Sequence, residues 1–230
     1  IYDSRNLLIH GLVTPALCGA YTSRTERGAT MRTKSFGFAL LFAALALGVA
    51  SSHAETPVSG DIATTTWLAS GSPYRVTGTV TVPAGNTLTI EPGVDVLFDA
   101  DVQFVVNGNL QALGTEAQNI RFMKGTAAEW GGIRLSGGQA NSIAFAQVSG
   151  GHADGASEPD NRGGGIHASG TGTTLFLDHV AIVANRAEND GGGVFVTESA
   201  SVNATKCVFR DNVVGDSGGG LDAKWRNHLC

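Results

Sequence analysis

A glycine triplet followed by an aliphatic residue occurs three times in nearly constant register: Gly163-Gly164-Gly165-Ile166, Gly191-Gly192-Gly193-Val194 and Gly218-Gly219-Gly220-Leu221. The steps are 28 and 27 residues. Between triplets a second element repeats. Leu175, Leu177, Val180, Ile182 and Asn185 match Val202, Ala204, Cys207, Phe209 and Asn212, each 27 residues on. A fixed period of this length marks a chain built of stacked supersecondary units. Earlier segments follow the same logic with looser spelling: Trp130-Gly131-Gly132-Ile133 reads as a degenerate triplet entry, and residues 142–148 as the second element. Upstream, residues 76–82, 88–90, 94–98, 104–106 and 120–122 are short strand candidates, several with period-two alternation. They are bounded by turn residues such as Pro83-Ala84-Gly85-Asn86 and Glu91-Pro92-Gly93.

Segments of this length with alternate apolar residues each need one face buried. No intervening stretch is long and amphipathic enough to be the helix of a βαβ unit. Strands without helices can still run parallel if each coil wraps around and pairs with the next, stacking equivalent side chains about 4.8 Å apart. Glycine at fixed points permits positive φ at corners, and Asn185 and Asn212 are expected at another corner, in the left-handed region, with their amides bonding between coils. An antiparallel sandwich also has many short strands, but has no need of triplets in register. The expected fold is therefore all-β, a right-handed parallel β-helix over residues 55–222. Beyond Leu221 the period breaks off, so residues 223–230 are expected to be an irregular tail of a truncated solenoid lacking its C-terminal part.

Two resemblances support this. The triplets, with Phe209-Arg210-Asp211-Asn212 and Ile182-Val183-Ala184-Asn185, resemble the short motifs of polymorphic outer-membrane proteins, in which GGA plus an aliphatic residue alternates with FxxN. Here Gly stands in the third position and Ile replaces one Phe. Residues 80–94 (VTVPAGNTLTIEPGV) and the Trp130-Gly131-Gly132-Ile133 entry are similar to coils of exported bacterial right-handed β-helix proteins. Together the resemblances cover about residues 58–222. They imply fold and export, in a group that includes adhesins, autotransporter passengers and polysaccharide lyases.

Export has its own signal. Met31 opens a segment in which Arg32 and Lys34 precede an apolar run over 36–50, ending in Ser52-His53-Ala54. This is the pattern of a cleaved leader over 31–54, and the run is shorter than the roughly 20 residues of a membrane span. Residues 1–30 show no period and read as upstream sequence. The expected location is outside a bacterial cell, secreted or on the outer surface, with an anchoring domain beyond the C-terminal end.

Residues 1–54 hold five of the 15 Lys and Arg and two of the 20 Asp and Glu. The remainder therefore carries 10 basic and 18 acidic side chains, a formal charge of −8. An acidic surface disfavours nucleic acid and anionic lipid as partners. Outside the upstream segment the only cysteines are Cys207 and Cys230, which make no disulfide framework. Cys207, among apolar neighbours, is expected to be a buried free thiol.

Elimination on an acidic polysaccharide needs a cation to neutralise the uronate carboxylate and a base for the adjacent proton. Asp154, Glu158 and Asp160, with Arg162 and Arg186, are the residue types that chemistry requires, on the longest polar segment (150–162). A polar loop carries charges in any case, and spacing gives no test of convergence. The expectation is a solvated loop, with Asp154, Asp160 and Arg162 replaceable at little cost, and no catalytic residue. Asp160, Asp190 and Asp216 precede the triplets by three, one and two residues, too uneven for a calcium ladder, so solvated turn residues are expected. Calcium is the only cofactor this pattern raises, and no metal or cofactor residue is assigned. His152, His167 and His179 lack ligand spacing and are expected at the surface. Trp67 and Trp130 are expected to fill the core rather than stack on sugar, and the sequon Asn203-Ala204-Thr205 is read as chance.

The sequence therefore points to an exported β-helix module for adhesion or ligand binding, glycans included, without catalysis of its own. The alternative is a fragment of a polysaccharide lyase or a hydrolase-like enzyme. Cleavage is expected between Ala54 and Glu55. N-terminal sequencing of exported protein checks it, and an intact Met31 or Ile1 end outside the cell would overturn the export reading.

Overall fold

Period-two alternation sets the local structure. In Thr87–Ile90 and Asp95–Phe98 every second side chain is buried, so each short strand offers one apolar edge to a common interior. The computed structural model describes residues 55–157 and 160–224. The leader, the upstream segment, Glu158, Pro159 and residues 225–230 lie outside the described residues. Among those described there is no α-helix, only a single 3-10 turn at Ala69–Gly71, and so no helix long and apolar enough to cross a membrane.

The strands wrap in one direction and pair in parallel throughout, making a parallel β-helix. One ladder stacks Thr87–Ile90, Asn109–Leu113 and the first halves of Ala140–Ser149 and Thr174–Val183, followed by Ser201–Thr205. A second stacks Asp95–Phe98, Ile120–Lys124 and the second halves of those two long strands, then Val208–Arg210. The third runs from Tyr74–Val82 through Phe104–Val106, Ile133–Leu135, Ile166–Ala168 and Val194–Val196 to Leu221–Ala223. A short fourth ladder, His152–Ala153, Arg186–Ala187 and Val213–Val214, forms a corner of the later coils.

The register is the one expected from the repeat. Leu175 pairs with Val202, Leu177 with Ala204 and Ile182 with Phe209. Ile133, Ile166, Val194 and Leu221 stand one above another. Inward side chains make continuous columns, such as Val80, Phe104, Ile133, Ile166 and Val194, all fully buried. Trp67 and Trp130 belong to this core: Trp67 stacks on Tyr74, and Trp130 on Phe98 with ring centroids 3.8 Å apart. The Trp130 indole also donates to the Ser149 carbonyl at 2.9 Å, satisfying its only polar atom.

The triplets stand where successive coils approach most closely. Their N–H groups donate to the next coil, Gly165 to the Gly193 carbonyl and Gly193 to the Gly219 carbonyl. The first glycine of each triplet has positive φ, 66° at Gly163 and 62° at Gly191. A Cβ on Gly164 would lie 2.0 Å from the Arg186 carbonyl oxygen. At the third position a Cβ on Gly165 would lie 2.7 Å from the Gly193 carbonyl oxygen, and one on Gly193 2.4 Å from that of Gly220, so a side chain there does not fit this stack.

Two expectations are corrected. Asn185 and Asn212 do bond between coils, the Asn185 amide donating to Asn212 Oδ1 at 3.1 Å. The left-handed residues, however, are their predecessors Ala184 (φ 53°) and Asp211 (φ 57°). The asparagines instead fasten backbone on either side, with Asn185 Oδ1 accepting from Gly151 N and its amide donating to the Val148 carbonyl. Cys207 is free but only half-buried, like Phe209. Both point inward from the last described coil, where no described strand covers them.

Position in the stack therefore sets the cost of truncation. Ile182→Ala, in a fully buried column, should destabilise by about 2–5 kcal/mol. Phe209→Ala should cost less, about 1–2 kcal/mol, an ordinary value for a half-buried site. Urea denaturation of the two variants checks the order, and equal losses would contradict it.

Candidate functional site

Outward side chains on a β-helix face normally meet solvent. On the third ladder the outward row runs Thr81, Val105, Arg134, His167, Phe195 and Asp222, yet Arg134, His167 and Phe195 are buried. Arg162 and the backbone of Gly163 lie against this row, the Arg162 guanidinium over the Phe195 ring. Arg134 Nη1 donates to the carbonyls of Arg162 at 3.0 Å and Gly163 at 2.6 Å, which ties the row to that cover. The remaining guanidinium donors, Nε and Nη2, are buried without a hydrogen-bond partner, as is His167 Nε2. Leaving such groups unmatched costs free energy. Burial draws Arg134 down to about 10, and draws His167 down to about 3, helped by the neighbouring charges of Arg134 and Arg162.

Beside Arg134 opens a cleft of about 210 Å³ lined by Asp101, Gln103, Gly131, His152, Asp154 and Asp160 among others. Gln103 crosses it to donate to Asp160 Oδ1 at 2.7 Å. His152 stands at the corner where successive coils stack, its N–H bonded to the Trp130 carbonyl. Its ring lies between two carboxylates, Nδ1 being 2.8 Å from Glu129 Oε2 and Nε2 3.2 Å from Glu188 Oε1. Burial alone would lower its pKa, but the hydrogen bonds to Glu129 and Glu188 outweigh burial and raise it. Asp101 is raised by burial and by the like charges of Asp154 and Glu129. Glu129, His152 and Asp154 bring three ligand-type atoms within 4.8 Å of one another. The cleft thus combines one buried cation with a surplus of carboxylates.

Of the loop residues singled out from sequence, Asp154 and Asp160 line this cleft, and Glu158 lies outside the described residues. Arg162 faces elsewhere: its Nε is 2.8 Å from Asp190, and its guanidinium lies over the Phe195 ring. Arg162 therefore helps to seal the cover and is not the freely replaceable residue expected. Arg186 bonds Glu188 at 2.8 Å, at the edge of the cluster. Asp190 is no solvated turn residue. It is 1% exposed and held by Arg162, Lys224 at 2.7 Å and Ser217 at 2.8 Å; these hydrogen bonds and charges more than offset its burial, so its pKa falls. His152 and His167 are buried rather than superficial, while His179 stacks on Phe145. Arg134, Glu129, Asp101 and Glu188 escaped the sequence reading. Glu129 and Glu188 each precede a glycine entry by two or three residues, the one signal that could have found them.

Comparison with known proteins finds no matching family model, no matching curated protein and no matching solved structure.

The histidines set a pH dependence whose sign can be worked out. His167 is held below its ordinary 6.5, so the unfolded chain binds its proton first. The stability this group contributes is complete above about pH 6.5 and is lost as pH falls toward 3. His152 acts oppositely, its contribution being complete below its ordinary value and lost as pH rises through the raised folded pKa. The urea midpoint should therefore fall from pH 6.5 to 5, before the carboxylates add their own loss. His167→Phe, which copies Phe195 on the next coil, should flatten that limb. An unchanged slope would show that His167 is not the group responsible.

Proposed function

We propose that this protein is an exported β-helix module that binds a carboxylated glycan in the cleft beside Arg134. The exterior location rests on the leader pattern at 31–54 and on the acidic surface. The binding reading rests on one observation: Arg134, whose buried Nε and Nη2 have no hydrogen-bond partner, is one of the residues lining a polar cleft. A planar fork of donors suits a carboxylate, and the hydroxyl-bonding partners that a sugar needs, Gln103, Asp154 and Asp160, line the same cleft. A purely structural arginine would be paired, because a buried charge left unmatched is a net cost. Carboxylated sugars outrank phosphorylated ones because the surrounding carboxylates repel a doubly charged group more strongly than a singly charged one.

A second reading, elimination on the same polymer, has one observation in its favour: Asp154 and Asp160, carboxylates of the kind that can take a proton, line the cleft beside Arg134.

The decisive variant is Arg134→Met, similar in length and without charge. Titration calorimetry with uronic acid oligomers should show binding to the parent and at least a tenfold loss in the variant. The variant's thermal midpoint should stay near the parent's, since an unmatched buried charge has been removed. Binding unchanged in the variant, or equal affinity for neutral oligomers, would overturn the proposal. Appearance of an unsaturated product by absorbance would replace binding with elimination.

A further inference from the structure

A carboxylated ligand entering this cleft meets Asp101, Asp154 and Asp160 on its walls and Glu129 and Glu188 just behind. One guanidinium does not offset that many carboxylates, so a further cation would strengthen binding of the anion. We propose that Glu129, His152 and Asp154 hold a divalent first-row transition metal ion, which bridges the carboxylates to the anionic ligand on Arg134. The metal site stands on its own residues; only its bridging role rests on the glycan-binding reading above.

The three residues come from successive turns of the solenoid. Glu129 precedes Trp130, whose carbonyl accepts from His152 N, and Asp154 follows one strand step beyond His152. Their ligand atoms lie within 4.8 Å of one another. Ligands at about 2.0–2.2 Å from a shared ion lie up to about 4.2 Å apart, so small side-chain rotations close the set. Glu129 Oε2 and His152 Nδ1 are 2.8 Å apart, a little closer than the roughly 3.3–3.6 Å between two tetrahedral ligands of one ion, so this pair parts slightly as the ion enters. The other imidazole nitrogen is 3.2 Å from Glu188 Oε1, which is in turn held by Arg186 Nη2 at 2.8 Å. A carboxylate on the far nitrogen is the usual way a metal-binding histidine is oriented and its tautomer chosen.

Independently of these contacts, Arg134 lines the same cleft, is only 6% exposed, and has two donors unmatched. That guanidinium points to an anionic ligand, and an anion is held here more tightly when the acidic wall is neutralised. An imidazole ligand favours zinc or a related ion over calcium, which takes oxygen ligands alone. The competing reading is a structural one, in which protonated His152 merely joins two carboxylates of neighbouring coils.

Metal alone separates the two. Untagged protein freed of metal with EDTA is titrated calorimetrically with Zn²⁺, Mn²⁺ and Ca²⁺, without glycan. Saturable binding of one Zn²⁺ per chain, at least tenfold tighter than Ca²⁺, is expected. His152→Gln and Asp154→Asn should each abolish it or weaken it at least tenfold; Asp154 is exposed, so its variant decides the matter even where the histidine variant fails to fold. Glu188→Gln, a positioning residue, should weaken binding about tenfold with the thermal midpoint unchanged. No saturable Zn²⁺ or Mn²⁺ binding, or binding indifferent to Asp154→Asn, would overturn the site, and preferential Ca²⁺ binding would overturn the choice of metal. Metal binding without uronate binding would keep this site and remove the glycan reading instead.

Discussion

Parallel pairing of each coil with the next is the constraint on which the rest of the molecule depends. It places equivalent backbone atoms one strand spacing apart, about 4.8 Å, and so demands that corners superimpose as well as strands. Where a corner is tight there is no room between coils for side chains. Gly164 faces the Arg186 carbonyl and Gly193 the Gly220 carbonyl at distances no Cβ tolerates. The triplets follow from this demand, and so does the Asn185–Asn212 pair, which supplies hydrogen bonds at a corner where the backbone turns away from its own ladder. The apolar columns then fill the interior without further specification.

The same regularity explains how a polar site arises on such a scaffold. Each coil adds one residue to every outward row, so a side chain on one coil has fixed neighbours above and below. A departure at one corner, as at Arg162 and Gly163, covers a few positions of one row and leaves the pairing of the other strands unchanged. Beneath that cover the local dielectric falls, unmatched charges become costly, and pKa values move. Arg134 and His167 sit in that environment. Solvent-facing residues of the same row, such as Thr81, do not.

This division also decides what could be read from the sequence. The fold was legible because period and register are local facts: residues 27 apart pair as the repeat requires. The cleft was not. Asp101, Arg134 and His152 in the cleft, and Glu129 and Glu188 beside it, are spread over several coils of unequal length, so no fixed spacing unites them. Histidines scattered along the chain looked superficial because nothing in the sequence announces that an outward row is covered. Asp190 was misread for the same reason: its partners Arg162 and Lys224 are far from it in sequence and reach it only once coils stack. For the asparagine corner the chemistry was right and the backbone position was off by one residue, because a left-handed turn places the following side chain, not its own, toward the next coil.

The occupants of Arg134's row carry the argument from fold to function. Above it stand Thr81 and Val105, below it His167 and Phe195. Polar, aliphatic and aromatic side chains all satisfy that position, so coil stacking does not call for an arginine there. Phe195 shows that the covered part of the row accepts an apolar ring, with Arg162 packed on its face. An arginine in the neighbouring covered position adds a desolvation cost that its two hydrogen bonds to the Arg162 and Gly163 carbonyls offset only in part. Proteins retain such costs where a site requires them. Arg134 carries two unmatched donors and lines the cleft that also collects Asp101, His152 and Asp154. Fold-determining and function-bearing positions are thus separated along one row: inward residues and glycines specify the solenoid, and the outward residue against Arg162 and Gly163 is free to serve a ligand.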